Sequence, residues 1–312
     1  MTASSGIAAR PRRGRDEIYP FALLLLANLF WASNWVIGRG IHETFPPVAL
    51  SFWRWTVACV VLAPIALPRL NGQWPIVRAH WRILLILGAS GIAVPQCVTY
   101  IGLNYTTAVN GSLLTAGSPM VMVLVAWLIE RHTATPRQLL GLVLSLSGVA
   151  IVIAHGSLTT LQQLRFNPGD LLIVLSIPIW CVYSVLLRRR PRDVDGMSFL
   201  FLLIPIGLGT LAPAFAYEEV FVRTPVWNLV SVVTVIYIGV SASAGAYALW
   251  NRGVELIGPS RAAFTNPFQP MFATSLAILV LGEKFYLYHA IGFAMIIVGW
   301  YLTSGLRLRP PV

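Results

Sequence analysis

The sequence predicts an all-α integral membrane protein with ten transmembrane helices in two inverted five-helix repeats. Three observations lead there. Of 312 residues, 57% are apolar and 11% charged, against about 45–50% and about 25% in soluble proteins. The apolar residues fall into uncharged stretches of bilayer-spanning length, and the chain matches itself at a nearly constant offset.

The spans follow in order. Ile18–Gly38 is the first. Arg10, Arg12, Arg13 and Arg15 before it mimic a signal-peptide n-region, but the apolar run is too long and lacks a small-residue cleavage site, so it is read as retained. Val48–Leu67 is the second, interrupted only by Arg54. The run Ile83–Ile129 holds two spans at about 20 residues each, divided by a turn near Asn104–Thr107. Leu139–His155, Leu171–Leu187, Gly196–Tyr217, Val226–Trp250, Ala262–Gly282 and Phe285–Ser304 complete the ten. The expected organisation is a cytoplasmic tail over 1–17, a first repeat over 18–155, a periplasmic linker over 156–168, a second repeat over 169–304 and a cytoplasmic tail over 305–312.

The net charge of +11 reads as loop orientation against the inner leaflet, and nucleic-acid binding is set aside. With both termini cytoplasmic, outside segments hold only Arg39, Arg165, Arg223 and Lys284, and inside segments hold every other base except Arg54. The positive-inside rule therefore fixes the orientation, in a bacterial inner membrane. Trp74, Trp81, Tyr217, Trp227 and Tyr286 lie near span ends, where amphipathic rings suit the headgroup level. Cys59, Cys97 and Cys181 sit in apolar stretches and read as core residues without a disulfide.

Sliding the chain by 151 positions superimposes Gly88 on Gly239, Ser90 on Ser241, Gly102 on Gly253, Pro119 on Pro270, Met120 on Met271, Gly141 on Gly292 and Gly148 on Gly299. Trp31 and Trp180, and Pro64 and Pro213, align at 149. Five spans per half invert the second half relative to the first, which is the architecture of an alternating-access carrier.

Four stretches resemble EamA-domain proteins of the drug/metabolite transporter superfamily. They are Phe30-Trp31-Ala32-Ser33-Asn34-Trp35, Ser51-Phe52-Trp53-Arg54-Trp55, Gly117-Ser118-Pro119 and Leu281-Gly282-Glu283-Lys284. The similarity covers essentially the whole chain. It implies two repeats, ten helices and export of metabolites, often amino acids. Leu128-Ile129-Glu130-Arg131 departs from it, because many members have a glycine before the glutamate.

Proline inside a membrane helix frees the carbonyl four residues earlier. Pro95, Pro119, Pro178, Pro267 and Pro270 are such breaks, and those of the fourth and ninth spans fall at equivalent points, the pattern that marks a carrier site. Around them gather Trp31, Asn34, Trp35, Gln96, Tyr100, Asn110, Ser118, Trp180, Tyr183, Tyr247, Asn266 and Gln269 as candidate substrate-binding residues, with Trp250 beside them. Polar groups in these spans should face a partner or a wet cavity. Aromatic walls with few hydrogen-bonding groups suit a small, partly apolar zwitterion, large apolar or aromatic amino acids first, as in the similar YddG-like exporter branch.

Arg54 is the only charged residue well inside a span, on the order of 9 Å from its outer end. It either binds a substrate carboxylate or caps carbonyls and snorkels outward, and the structural role is favoured. All acidic residues and histidines read as peripheral. Proton relays use intramembrane groups, so facilitated diffusion is expected, and quaternary-ammonium cargo is disfavoured. Gly88-Ala89-Ser90-Gly91 matches a pattern of intramembrane serine proteases, but no histidine base lies mid-span. Without a metal-ligand cluster or Walker pattern, no enzyme activity, metal or cofactor is expected. A channel and a multidrug or other small-metabolite efflux carrier are the rival readings. The expected partners are a small-molecule substrate and lipid, with the chain a monomer. Gly141–Gly148 and Gly292–Gly299 should allow close helix approach.

Overall fold

The computed structural model describes residues 15–118, 121, 124–125, 128–129, 136–157, 166–191, 193–257, 262 and 265–303. Within them the regular structure is helical, with no strand among the described residues, and six helices are long and apolar enough to cross a membrane. They are α1 (Arg15–Gly40), α2 (Pro47–Ala66), α3 (Trp81–Leu103), α6 (Pro168–Leu186), α7 (Gly196–Tyr217, extended by a wider turn to Val222) and α8 (Leu229–Ile257). Between them lie α4 (Ala108–Thr115) and α5 (Pro136–Ile153), and α9 (Phe268–Leu281) and α10 (Leu287–Thr303) close the series. A short helix, Trp74–Ala79, connects α2 to α3.

Helix starts are written in the sequence. Thr107, Asn167, Asp195 and Asn228 each accept a backbone N–H of the first turn of α4, α6, α7 and α8, satisfying donors that would otherwise be orphaned. α2 begins on Pro47, a position where the missing N–H costs nothing. α9 stops at Gly282, whose φ of 66° is left-handed.

The expected turn at Asn104–Thr107 divides α3 from α4. The largest boundary differences from expectation fall in α8 and α9. α8 runs to Ile257 rather than Trp250, the helix carrying Asn251, Arg252 and Glu255 beyond the widened turns of Ile238–Gly245. In the expected span from Ala262, Ala262 is helical, a turn follows at Asn266–Pro267, and α9 starts at Phe268 with Pro267 as N-cap. Pro267 therefore caps α9, and Pro270 lies in its first turn. Pro119 lies outside the described residues.

The same widening occurs in α3 over Ala89–Ala93, matching part of that in α8 at the 151 offset. Each is accompanied by a serine bonded to the carbonyl four residues back, Ser90 to Ile86 and Ser241 to Tyr237. Such turns bend a helix and are frequent at functional sites.

α1 packs against α8 and α9, and α6 against α3 and α4. α2 lies between α7 and α8, α7 also touches α3, and α5 pairs with α10. That last pair is glycine-mediated: a Cβ on Gly148 would lie 2.5 Å from the Gly292 carbonyl oxygen, and one on Gly299 2.5 Å from that of Gly141. The largest buried cluster gathers Trp35, Val36, Phe45, Leu50, Tyr100 and Leu103 with residues of α4, α6, α8 and α9.

Candidate functional site

A buried polar knot joins α1, α2, α3 and α8. Arg54 of α2 is 1% exposed. Its Nε donates to Ser243 Oγ at 2.9 Å, and its Nη1 to Tyr100 Oη at 2.7 Å and Asn34 Oδ1 at 3.2 Å. Tyr100 Oη also donates to Asn34 Oδ1. The guanidinium lies over the rings of Trp55 and Tyr100, 5.1 and 5.7 Å from their centroids. None of the described carboxylates lies within ion-pair distance of it. Arg54 thus neither snorkels nor caps backbone carbonyls: the neighbouring side chains are placed to accept its protons.

Aromatic rings border the knot. Trp55 meets Tyr247 at 5.9 Å, and Trp31 meets Tyr247 at 5.6 Å and Trp250 at 5.5 Å. Trp31 Nε1 is held by the Ala242 carbonyl within the widened part of α8. On α6, Trp180 and Tyr183 pack at 5.0 Å, and Tyr183 covers Gly91. Two buried polar atoms here have no partner among the described residues, the Gln96 Oε1 acceptor and the Trp55 Nε1 donor. Gln96 stands one turn before Tyr100 on the same face of α3. Orphaned buried polar atoms cost about 1–3 kcal/mol each unless something completes them.

The remaining predicted residues scatter. Trp35 packs against Gly111 of α4. Ser118 accepts from Cys181 Sγ through its carbonyl at 3.4 Å. Asn266 is exposed and Gln269 half-buried at the start of α9. Of the breaks, Pro178 lies inside α6, and Pro95 opens the regular part of α3 after its widened turn. Asn110 belongs to a different place: its Oδ1 faces His289 Nε2 at 2.7 Å, and its Nδ2 faces Asp170 Oδ2 and His155 Nε2 at 3.3 Å each.

That place is the end of the bundle where α1 finishes and α2 begins, and it is closed. Arg39 donates to the Leu103 carbonyl at 2.8 Å, Arg223 to that of His42 at 2.7 Å and to Asn104 Oδ1 at 3.1 Å. Glu218 accepts from the N–H groups of Val48 and Ala49, and Glu283 from those of Ala108 and Val109. Carboxylates suit helix N-termini in this way. Phe52 stacks on Phe215 at 4.4 Å, and Trp227 meets Phe45 at 5.2 Å and Trp53 at 5.5 Å. The acidic residues and histidines that read as peripheral include three, Asp170, Glu218 and His289, that lie at span ends and are nonetheless buried.

Ser243, Trp55, Asp170 and His289 escape the sequence reading. Trp55 neighbours Arg54 in the chain and was available to it; Ser243 is a common residue in a common setting and gives no signal. Asn28, also passed over, ties α1 to the start of α9 through Thr265 Oγ1 at 3.1 Å.

A family model described as the EamA-like transporter family matches residues 19–154 and again 167–305. The uncharacterized transporter YyaM of Bacillus subtilis is 25% identical over 299 residues, covering 93% of this chain and 95% of its own. The S-adenosylmethionine/S-adenosylhomocysteine transporter of Chlamydia muridarum is 22% identical over 290 residues, covering 89% and 91%. One solved crystal structure superposes with a TM-score of 0.60 at 20% identity over 91% of this chain and 95% of that one, a likeness of fold.

Proposed function

The chain belongs to the EamA-like transporter family, and on that premise we propose that it is an inner-membrane carrier exporting amino acids, large apolar or aromatic ones first, by facilitated diffusion. The carrier alternates access between two inverted five-helix halves, 18–155 and 169–304, with both termini cytoplasmic. The helix pairing supports this: exchanging α1 with α6, α2 with α7, α3 with α8, α4 with α9 and α5 with α10 maps the main contacts onto themselves.

The observation that carries the substrate reading is Arg54, a buried guanidinium with neutral neighbours and no carboxylate partner among the described residues. A buried cation favours a counter-charge, and a substrate carboxylate supplies one. Trp55 Nε1 adds a donor for that carboxylate and Gln96 Oε1 an acceptor for an ammonium, while Trp31, Tyr247, Trp180 and Tyr183 form the apolar walls.

The test is counterflow. Proteoliposomes preloaded with one amino acid take up the same labelled compound with no ion gradient. Counterflow of Phe, Trp, Met or Leu is expected; simple equilibration without trans-stimulation would indicate a channel. Accumulation driven only by an imposed pH gradient would refute uncoupled transport. S-adenosylmethionine belongs in the panel, since it joins the same zwitterionic head to an aromatic ring and a relative is named for it.

A further inference from the structure

Four helices meet at the closed end around a carboxylate that the central knot does not use. Asp170, in the first turn of α6, is 0% exposed. Its Oδ1 accepts from Thr106 Oγ1 at 2.5 Å, and its Oδ2 faces Asn110 Nδ2 at 3.3 Å and His155 Nε2 at 3.6 Å. One backbone group orients the network. The Tyr286 N–H donates to His289 Nδ1 at 3.0 Å, so His289 holds its proton on Nε2 and gives it to Asn110 Oδ1. The amide nitrogen of Asn110 is thereby turned toward both Asp170 and His155.

His155 is the way in from solvent. Its side chain is 47% exposed, and it stacks on Tyr288 at 5.7 Å. Its φ of 53° lies in the left-handed region, which side chains other than glycine seldom occupy. Strain of this kind is retained where surrounding structure and function hold a side chain in place.

We infer that Asp170 and His155 form a proton-operated latch at the closed end. Neutral His155 accepts from Asn110 Nδ2 through Nε2 and carries its own proton on Nδ1. A proton taken from the adjoining solution adds to Nε2 and points to Asp170 Oδ2, while Asn110 keeps its bond to Asp170. A carboxylate beside a neutral ring becomes an ion pair tying the end of α5 to α6, and on the alternating-access reading acid on this side then favours closure. The proton enters and leaves on one side, so external pH adjusts the rate without driving transport.

Among the described residues, the other titratable groups around the latch are already engaged or aromatic. From α10 and its approach come His289, Tyr288 and Tyr286; from the turn before α10 comes Glu283, bonded to the α4 N-terminus. α3, the α3–α4 turn and α4 face Asp170 and its flank with Gly102, Tyr105, Thr106 and Asn110. His155 is the group here open to water.

The latch rests on the alternating-access reading, and the test separates the two. Nitroxides replace the exposed Tyr105 and Leu287 in a background with Cys59, Cys97 and Cys181 changed to serine, and pulsed electron resonance reads their separation in nanodiscs. Between about pH 8 and about pH 5.5 the ratio of closed to open components should rise about five- to tenfold. In His155→Gln it should stay flat. Asp170→Asn should also be flat; if that variant does not fold, the half-exposed His155 carries the test alone. pH dependence that survives in His155→Gln overturns the latch, as does a parent whose two components respond to substrate but not to pH. A single unchanging distance under every condition overturns alternating access as well.

Discussion

Replacing Arg54 with methionine separates a guanidinium kept for binding from one kept for folding. Removing the guanidinium leaves no orphan behind. Tyr100 still donates to Asn34, and Ser243 Oγ still donates to the Ile238 carbonyl at 3.2 Å. Methionine fills similar space and is content in an apolar core. The hydrogen bonds and ring contacts of the guanidinium are offset by the desolvation of a buried ion that no carboxylate repays. Replacing buried ionic groups by apolar ones of similar volume is often close to neutral, so Arg54→Met should change unfolding stability by no more than about 2 kcal/mol in either direction.

Transport should respond differently. A charged hydrogen bond to a substrate carboxylate is worth about 1.5–3 kcal/mol, so counterflow at low substrate should fall by about ten- to a hundredfold. Thermal unfolding in detergent and counterflow on the same preparation read the two effects. A variant that fails to insert, or loses more than about 3 kcal/mol, would refute the reasoning, since that is the cost of breaking a buried structural ion pair. Full transport with normal stability would refute the assigned role in binding.

Two further outcomes follow from the geometry. Asn34→Leu removes an acceptor while leaving the charge in place, so it should destabilise by about 1–3 kcal/mol, more than Arg54→Met does; the unfolding midpoints of the two variants decide. Gly148→Ala puts a methyl 2.5 Å from the Gly292 carbonyl oxygen and 3.1 Å from Ile296 and Met295, forcing α5 and α10 apart at about 1–3 kcal/mol, and an unchanged midpoint would show that the pair gives way freely.

How much could be read beforehand depended on how local the signal was. α1, α2, α6 and α7 follow from apolar length alone, and the α3–α4 turn from Asn104 and Thr107. The end of α8 was missed because Asn251, Arg252 and Glu255 look like a loop, whereas the helix carries them through. The site was less legible. Asn34 and Tyr100 stand out as polar groups in apolar runs, and they do converge on Arg54. Asn110 carries the same sequence signature yet lies at the closed end, because only packing decides which polar groups share a depth. Asp170 looked peripheral by position: sequence places a residue at the end of a span, but burial comes from the neighbours that close over it.

The two ends of the bundle are fastened by equivalent positions with different chemistry, and on the alternating-access proposal that difference should favour one end staying shut. At the closed end, Glu218 of α7 accepts from Val48 and Ala49 of α2, crossing between the halves with a buried carboxylate. At the 149 offset its counterpart is Arg69, which pairs at 3.5 Å with Asp195, the cap of α7. Both partners of that second tie are substantially exposed, and exposed pairs contribute about 0–1 kcal/mol. Bonds to a charged group are worth about 1.5–3 kcal/mol each, so the first tie should dominate. Glu218→Gln keeps one acceptor and turns an amide donor toward a helix N-terminus, costing the closed end about one such bond and shifting the balance toward opening by about ten- to a hundredfold. Cys97 reports it, buried against Val48 and Leu211 just inside that end. With Cys59 and Cys181 changed to serine, a membrane-impermeant maleimide at fixed pH should label Glu218→Gln at least about tenfold faster than the parent. Asp195→Asn should leave the rate nearly unchanged. Equal rates for Glu218→Gln and the parent would mean that the aromatic stack of Phe45, Trp53 and Trp227 holds this end without the carboxylate.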